Sequence, residues 1–196
     1  MVEFLFSKQR EIEGIIWTFA HLSKLRKLSS DIILPLFSDS LSQRLRALQS
    51  LNDHWEGRIP VPAETKRALV REFSNIYHPD KYQKIIKPVR RQWQSIEKKF
   101  FKRIRQFATV PIAQTYHCYV TFYGGGGSFG RNKEIYVRVN PSIPNDLRYA
   151  NYTIAHEITH LLVKSSATQS EEPKLARERL VDKIIERSSL RGLFTK

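Results

Sequence analysis

The sequence contains one cysteine, Cys118, among 196 residues, so no disulfide can form within the chain. Disulfides belong mainly to oxidising compartments, and a chain without them fits a reducing one. No apolar run approaches the roughly 20 residues of a membrane-spanning helix, and residues 1–8 lack the charge order and cleavage site of a signal peptide. We therefore expect a soluble, cytoplasmic protein with no transmembrane segment.

Acidic residues are also scarce. The chain carries 19 Asp and Glu against 33 Lys and Arg, which gives a formal net charge of +14. Such an excess suggests an acidic partner, whether nucleic acid, an anionic membrane surface or an acidic protein. A well-solvated basic surface is the alternative.

Residues 88–107 form the most basic segment and predict an amphipathic helix. Its apolar face consists of Trp93, Ile96, Phe100, Ile104 and Phe107. The charges on the other face could bind a polyanion such as nucleic acid. They could also lie on lipid headgroups, or face water while the apolar face packs on the core, which is the commonest arrangement.

Histidines are few, but two of the six stand four residues apart in His156-Glu157-Ile158-Thr159-His160. Positions i and i+4 share one face of a helix, so both imidazoles can bind one metal ion. Uncharged neighbours at 153–155 and 161–163 predict a helix partly in the core. The alternative is a buried helix with two hydrogen-bonded histidines and a surface glutamate. A buried Glu beside two histidines is costly without a partner, which favours the metal.

No histidine follows His160, so a third ligand must be of another type. A catalytic zinc ion takes three protein ligands and keeps one open position. Val163 and Ser166 stand where a metzincin has glycine and its third histidine, which excludes that pattern. The acids that follow the motif are Glu171, Glu172, Glu178, Asp182 and Glu186.

The HExxH motif followed by Glu178-Arg-Leu-Val-Asp182 resembles the gluzincin metallopeptidases, the thermolysin-like group. The resemblance covers about the last third of the chain. It implies that zinc is bound by His156, His160 and Glu178. The competitors for the third position are Glu171, Glu172 and Asp182. It implies that Glu157 is the base, which takes a proton from water and passes it to the leaving amine. It also implies that Asp182 orients His156 by a hydrogen bond.

The rest of the chain predicts helices at 8–28, 38–51 and 63–77, and strands at 116–123 and 134–139. Residues 52–62 predict a loop, and the glycine-rich residues 124–128 a hairpin tip or flap. In gluzincins a strand before the metal helix lines the substrate cleft, which implies a rim at Ile135, Tyr136 and Val137. Gluzincins also use a later His or Tyr to stabilise the oxyanion. None follows His160, which leaves only Tyr123 and Tyr136 as candidates.

Residues 66–107 carry a second, partial resemblance. A basic helix ending in Tyr77-His-Pro-Asp-Lys81 resembles the second helix and HPD loop of a J-domain, the module that stimulates Hsp70 chaperones. Residues 88–107 would then be the third helix, but no first J-domain helix lies immediately before the second, because residues 52–62 predict a loop. The simpler interpretation is that Pro79 ends one helix and Asp80 caps the next segment.

We therefore predict an α+β protein: a helical, basic region at 1–110, then a small zincin-like unit at 111–196 with a short sheet and two metal-binding helices. The predicted function is zinc-dependent hydrolysis of peptide or protein substrates by a soluble metallopeptidase, active or latent as a zymogen. The alternative is a non-enzymatic, zinc-stabilised module whose basic half binds nucleic acid or an acidic partner.

Overall fold

A computed structural model describes residues 1–22, 25–26, 32–52, 61–130, 132–143, 145–163, 173–187 and 190–194. In these ranges the chain folds into six α-helices and a four-stranded mixed sheet. The predicted α+β class is confirmed. Within the same ranges no helix combines the length and the apolar character that crossing a membrane requires.

The first half is mainly helical. Its helices are α1 (Lys8–Ala20), α2 (Asp39–Asn52), α3 (Ala63–Ile76) and α4 (Pro79–Ile104). Helix α1 begins at Ser7, whose hydroxyl accepts the backbone N–H of Arg10 and caps the first turn. The regular helix ends at Ala20, earlier than predicted, and residues 23–24 and 27–28 lie outside the described part of the chain. The predicted loop at 52–62 lies mostly outside it too, since residues 53–60 are not described.

Helix α4 begins at Pro79 rather than at residue 88, which corrects the predicted boundary. Proline suits the first helical position because the N–H it lacks would have no partner there. Pro88 then lies inside the helix, where it removes one donor. The helix continues because its inner face is buried on both sides of Pro88, at Ile86, Val89 and Trp93.

The sheet joins distant parts of the sequence. Its strands are β1 (Val2–Leu5), β2 (Tyr116–Thr121), β3 (Gly127–Phe129) and β4 (Glu134–Arg138), in the spatial order β1-β2-β4-β3. Strand β2 pairs in parallel with β1 and with β4, while β3 pairs antiparallel with β4. The sequence did not predict β1.

The glycine-rich residues 124–128 were predicted to be a hairpin tip or flap, but the segment is partly a strand. Gly127 opposes Val137, and Phe129 opposes Ile135, so its last glycine belongs to strand β3. The turn of this hairpin lies beyond the glycines, where Lys133 has a positive φ of 64°. The predicted strand at 116–123 ends earlier, at Thr121.

The second half adds α5 (Asp146–Leu162), α6 (Pro173–Arg187) and a short 3-10 turn (Arg191–Leu193). One apolar core lies between the sheet and helices α4 and α5. It includes Phe4, Trp93, Tyr116, Ile135 and Ile158, all at most 5% exposed. Residues before and after position 110 therefore share one sheet and one core. A smaller cluster joins α1, α2 and α3.

Candidate metal centre

Helix α5 carries the HExxH motif on a rigid support. Ala150, Ile154, Ile158 and Leu162 recur every four residues and are all at most 1% exposed, so this face is fixed in the core. The first turn is held by Asp146, whose two oxygens accept from Arg138 Nε at 2.9 Å and Nη2 at 3.1 Å. Charge-assisted, bidentate pairs of this kind restrict orientation.

Three side chains from two helices converge beside this face. Nε2 of His156 and Nε2 of His160 lie 3.1 Å apart, and each lies 3.1 Å from Oε2 of Glu178 on α6. These are the residues among those described that could hold a metal ion together. The structure thus brings together the three predicted ligands, while Glu171 and Glu172 lie outside the described residues.

The spacing of these atoms suits zinc. A tetrahedral site with bonds of about 2.0–2.1 Å has ligand atoms about 3.3 Å apart, close to the separations here. Hydrogen bonds alone explain the three short distances poorly. If each Nε2 carries a proton that it donates to Glu178, the two N–H groups repel each other across the 3.1 Å between the imidazoles. Two imidazoles and one carboxylate are also a common donor set for zinc. The residues present therefore fit a zinc ion.

The charges and pKa values of the cluster favour a cation at this point. Hydrogen bonds from His156 and His160 hold the pKa of Glu178 well below its usual range, so this carboxylate is ionised. Burial lowers the pKa of His156, but the hydrogen bond with Glu178 and the charges of Glu157, Glu178 and Asp182 raise it above its ordinary value. Negative charge therefore outweighs the cost of burying a cation here.

Asp182 lies behind the first histidine. Its Oδ1 is 3.4 Å from Nδ1 of His156, and the hydroxyl of Tyr152 is 3.5 Å from the same oxygen. The separation from His156 is longer than a good hydrogen bond, and that Nδ1 makes no hydrogen bond with the described residues. Asp182 thus lies on the Nδ1 side of His156, one helical turn beyond Glu178, without the predicted hydrogen bond.

Glu157 is 7% exposed and lies against strand β3. A Cβ atom built on Gly127 would come within 2.6 Å of its Oε1 and 2.4 Å of Cγ2 of Thr153. Only a residue without a side chain allows β3 to approach α5 so closely. Burial raises the pKa of Glu157 to about 7; the charge of His156 lowers it and that of Glu178 raises it.

A stack of three side chains joins β3, α5 and α6. The ring of Phe129 stacks on that of His160, with the ring centres 5.0 Å apart, and the guanidinium carbon of Arg177 lies 4.9 Å from the centre of the Phe129 ring. Arg177 also donates to the backbone oxygen of His160 at 2.7 Å. The sequence patterns did not indicate a role for Gly127, Phe129 or Arg177. The last glycine of a run and the arginine before Glu178 were the available signals, and Phe129 had none.

The predicted substrate rim is placed differently. Ile135, Tyr136 and Val137 lie in β4, which has β2 on one side and β3 on the other, so its backbone has no edge for another strand. The side chains of Ile135 and Val137 are fully buried in the core. The sheet edge nearest the metal residues is instead β3, which ends the strand order.

The two tyrosines considered for the oxyanion are occupied elsewhere. The hydroxyl of Tyr136 donates to Glu134 at 2.9 Å. Tyr123 packs edge-on against Phe73, in the cluster formed by α1, α2 and α3. Neither contact directs its hydroxyl to His156 or His160.

Comparisons with protein-family models, with curated proteins and with solved structures find no match to this chain.

Proposed function

We propose that this chain is a zinc-dependent metallopeptidase. The observation that carries the proposal is the convergence of His156, His160 and Glu178 on one point, with Glu157 buried beside them. Two helices bring these three side chains together, and they are a donor set that zinc commonly uses. A carboxylate that is not a ligand stands next to the first histidine.

Each residue then has a defined task. His156, His160 and Glu178 hold the ion, and Asp182 restricts the ring of His156 from its Nδ1 side. Zinc supplies Lewis-acid chemistry at such a site, by polarising a carbonyl and making water more acidic. Glu157 accepts the proton of the attacking water and delivers it to the amine nitrogen as the peptide bond breaks. Its cover by β3 keeps bulk water from that carboxylate.

The substrate class follows from the sheet edge. Strand β3 lies between α5 and solvent at the end of the sheet, so an extended peptide can pair with its outer edge by backbone hydrogen bonds. Phe129 stacks on His160 from this strand, which sets the peptide beside the metal ligands. Recognition through the backbone favours unfolded or extended segments over folded proteins.

A zinc-stabilised scaffold without activity is the second candidate. The observation that favours it is the burial of Glu157, which leaves only 7% of this residue exposed. In that case the ion would join α5 to α6 and stabilise the fold, and Glu157 would be dispensable. A latent enzyme, in which β3 must move before substrate enters, has the same resting geometry.

Two measurements test the proposal. Elemental analysis of protein purified without chelator should find about one zinc per chain, and His156→Ala should remove most of it. Absence of zinc, and failure to take it up, would refute the metal site. Glu178→Ala should weaken binding, and a loss seen only with Glu171→Ala or Glu172→Ala would place the third ligand elsewhere.

Activity is then compared between wild type and Glu157→Gln, with unfolded protein or a peptide library as substrate and mass spectrometry as the readout. Glutamine keeps the size of the side chain but cannot act as a base. Cleavage should fall at least about a hundredfold while zinc content is retained. Equal cleavage by both proteins would assign the activity to another site. Stoichiometric zinc with no cleavage by wild type would support the scaffold or the latent form.

A further inference from the structure

We propose that the outer face of α4 is a binding surface for the phosphate backbone of a nucleic-acid duplex. This face is defined by Lys81, Lys84, Lys87, Arg91, Lys98, Lys99 and Lys102, and all seven side chains are exposed. It is a function separate from the metal centre and does not depend on it.

The seven cations form one strip on a single helix. At about 100° per residue they fall within roughly one third of the helix circumference, opposite the buried face. That buried face comprises Tyr82, Ile86, Val89, Trp93, Phe100 and Ile104. The strip extends about 32 Å from Lys81 to Lys102, at about 1.5 Å per residue. This length matches about one turn of a nucleic-acid duplex, which is about 34 Å.

Little negative charge accompanies this strip. Among the described residues none of the seven cations forms an ion pair. Glu97 of the same helix turns inward, where it accepts the backbone N–H of Val2 and the indole N–H of Trp93. Asp80, in the first turn, is the one acid that shares the exposed side of α4. Seven like charges on one face favour an anionic partner.

The form of the strip favours nucleic acid over a membrane. A helix that binds a bilayer surface inserts an apolar face between the headgroups. The large apolar residues of α4 are buried or partly buried against the core, and no exposed one interrupts the strip. A row of ammonium and guanidinium groups on one rigid helix can instead contact several phosphates of a duplex at once. Such contacts position the protein without reading bases, so binding should not depend on base sequence.

The test uses the full chain and a fluorescently labelled DNA duplex about two turns long, with binding followed by anisotropy as salt is raised. One variant removes four strip charges: Lys84, Lys87, Arg91 and Lys98, each changed to Gln. A matched control removes four exposed charges from α2 and α3: Arg46, Lys66, Arg67 and Arg71, each changed to Gln. Both variants lose the same net charge and retain good helix formers.

Wild type should bind at low salt, with a slope of log affinity against log salt of about −0.9 per phosphate contacted. The strip variant should reduce the magnitude of that slope by up to about 3.6, while the control should keep the slope of wild type. Equal losses in both variants would overturn the proposal, because binding would then follow net charge alone. So would the absence of binding to the duplex at low salt, or binding only to vesicles that contain phosphatidylserine. Circular dichroism confirms that each variant is folded.

Discussion

Changing Gly127 to Ala tests the contact between β3 and the metal helix. The added methyl would lie 2.4 Å from Cγ2 of Thr153 and 2.6 Å from Oε1 of Glu157, closer than packed atoms tolerate. Overpacking of this kind costs about 1–3 kcal/mol. The low end applies if β3 moves outward, since β4 holds it on one side only. For a chain of this length the melting temperature should fall by about 2–12 °C.

The control is Gly126→Ala, because a Cβ at that position meets no atom within 4 Å. It should change the melting temperature by much less than Gly127→Ala. Adding Thr153→Ser to Gly127→Ala removes the nearest atom but keeps the hydroxyl that donates to Tyr149, and should restore part of the loss. The measurement is the melting temperature of wild type, the two single alanine variants and the double variant. Equal stability of the two alanine variants would refute the close approach of β3 to Glu157.

Burial raises the pKa of Glu11 to about 7, although hydrogen bonds from the N–H groups of Phe122 and Tyr123 lower it. The stability that protonated Glu11 contributes is therefore fully present below about pH 4.5 and is lost as the pH rises through about 7. The free energy of unfolding of Glu11→Gln, measured with urea, should therefore rise relative to that of wild type by up to about 3 kcal/mol between about pH 5 and 8. A difference between the two proteins that stays constant with pH would contradict this. Asp182→Asn should weaken zinc affinity by about 10–100-fold in competition with a chelator, without loss of fold. Arg177→Met should also weaken zinc binding, because it removes the hydrogen bond that holds α6 against His160. The exposed Arg179→Met is its control, and equal effects would show that Arg177 has no special role.

The helices were the most predictable part of the fold. Leu41, Leu45 and Leu48 recur in the sequence at four- and three-residue spacing, and all three side chains are buried in α2. The start of α4 was missed because the predicted helix was limited to the most basic segment, which begins at Pro88. There the burial of Val89 and Trp93 outweighs one lost hydrogen bond, and local sequence does not report tertiary burial.

The sheet was less predictable, because its order depends on contacts between distant residues. Strand β1 has only four residues, and its alternation of Val2, Glu3 and Phe4 is too short to stand out. The register of β2 with β4 places Ile135 beside Cys118, but no local pattern indicates that β3 then forms the outer edge. The rim was therefore assigned to residues 135–137, in the one predicted strand that directly precedes the metal helix.

The candidate ligands were more accessible from the sequence, since helical spacing aligns His156 with His160, and the resemblance to gluzincins implied Glu178 as the third ligand. The side chains that surround the ligands were not. Arg177 and Phe129 act through stacking across three elements, and such contacts depend on how α6 is placed on α5. Charge and apolar patterns cannot specify that placement.

Strand β1 imposes an order on folding. Its partner β2 lies more than a hundred residues later in the sequence, and the two pair in parallel. Closing so long a loop costs entropy before any ladder bond forms, and non-local parallel pairing slows folding. During synthesis, Val2 and Phe4 stay unpaired until β2 has left the ribosome, because β2 is the strand that β1 pairs with. Helices α1 to α3 can collapse on their own cluster meanwhile. The slow, late step in folding should therefore be the docking of β1, and the apolar side chains of β1 are the surface that a chaperone would need to protect until then.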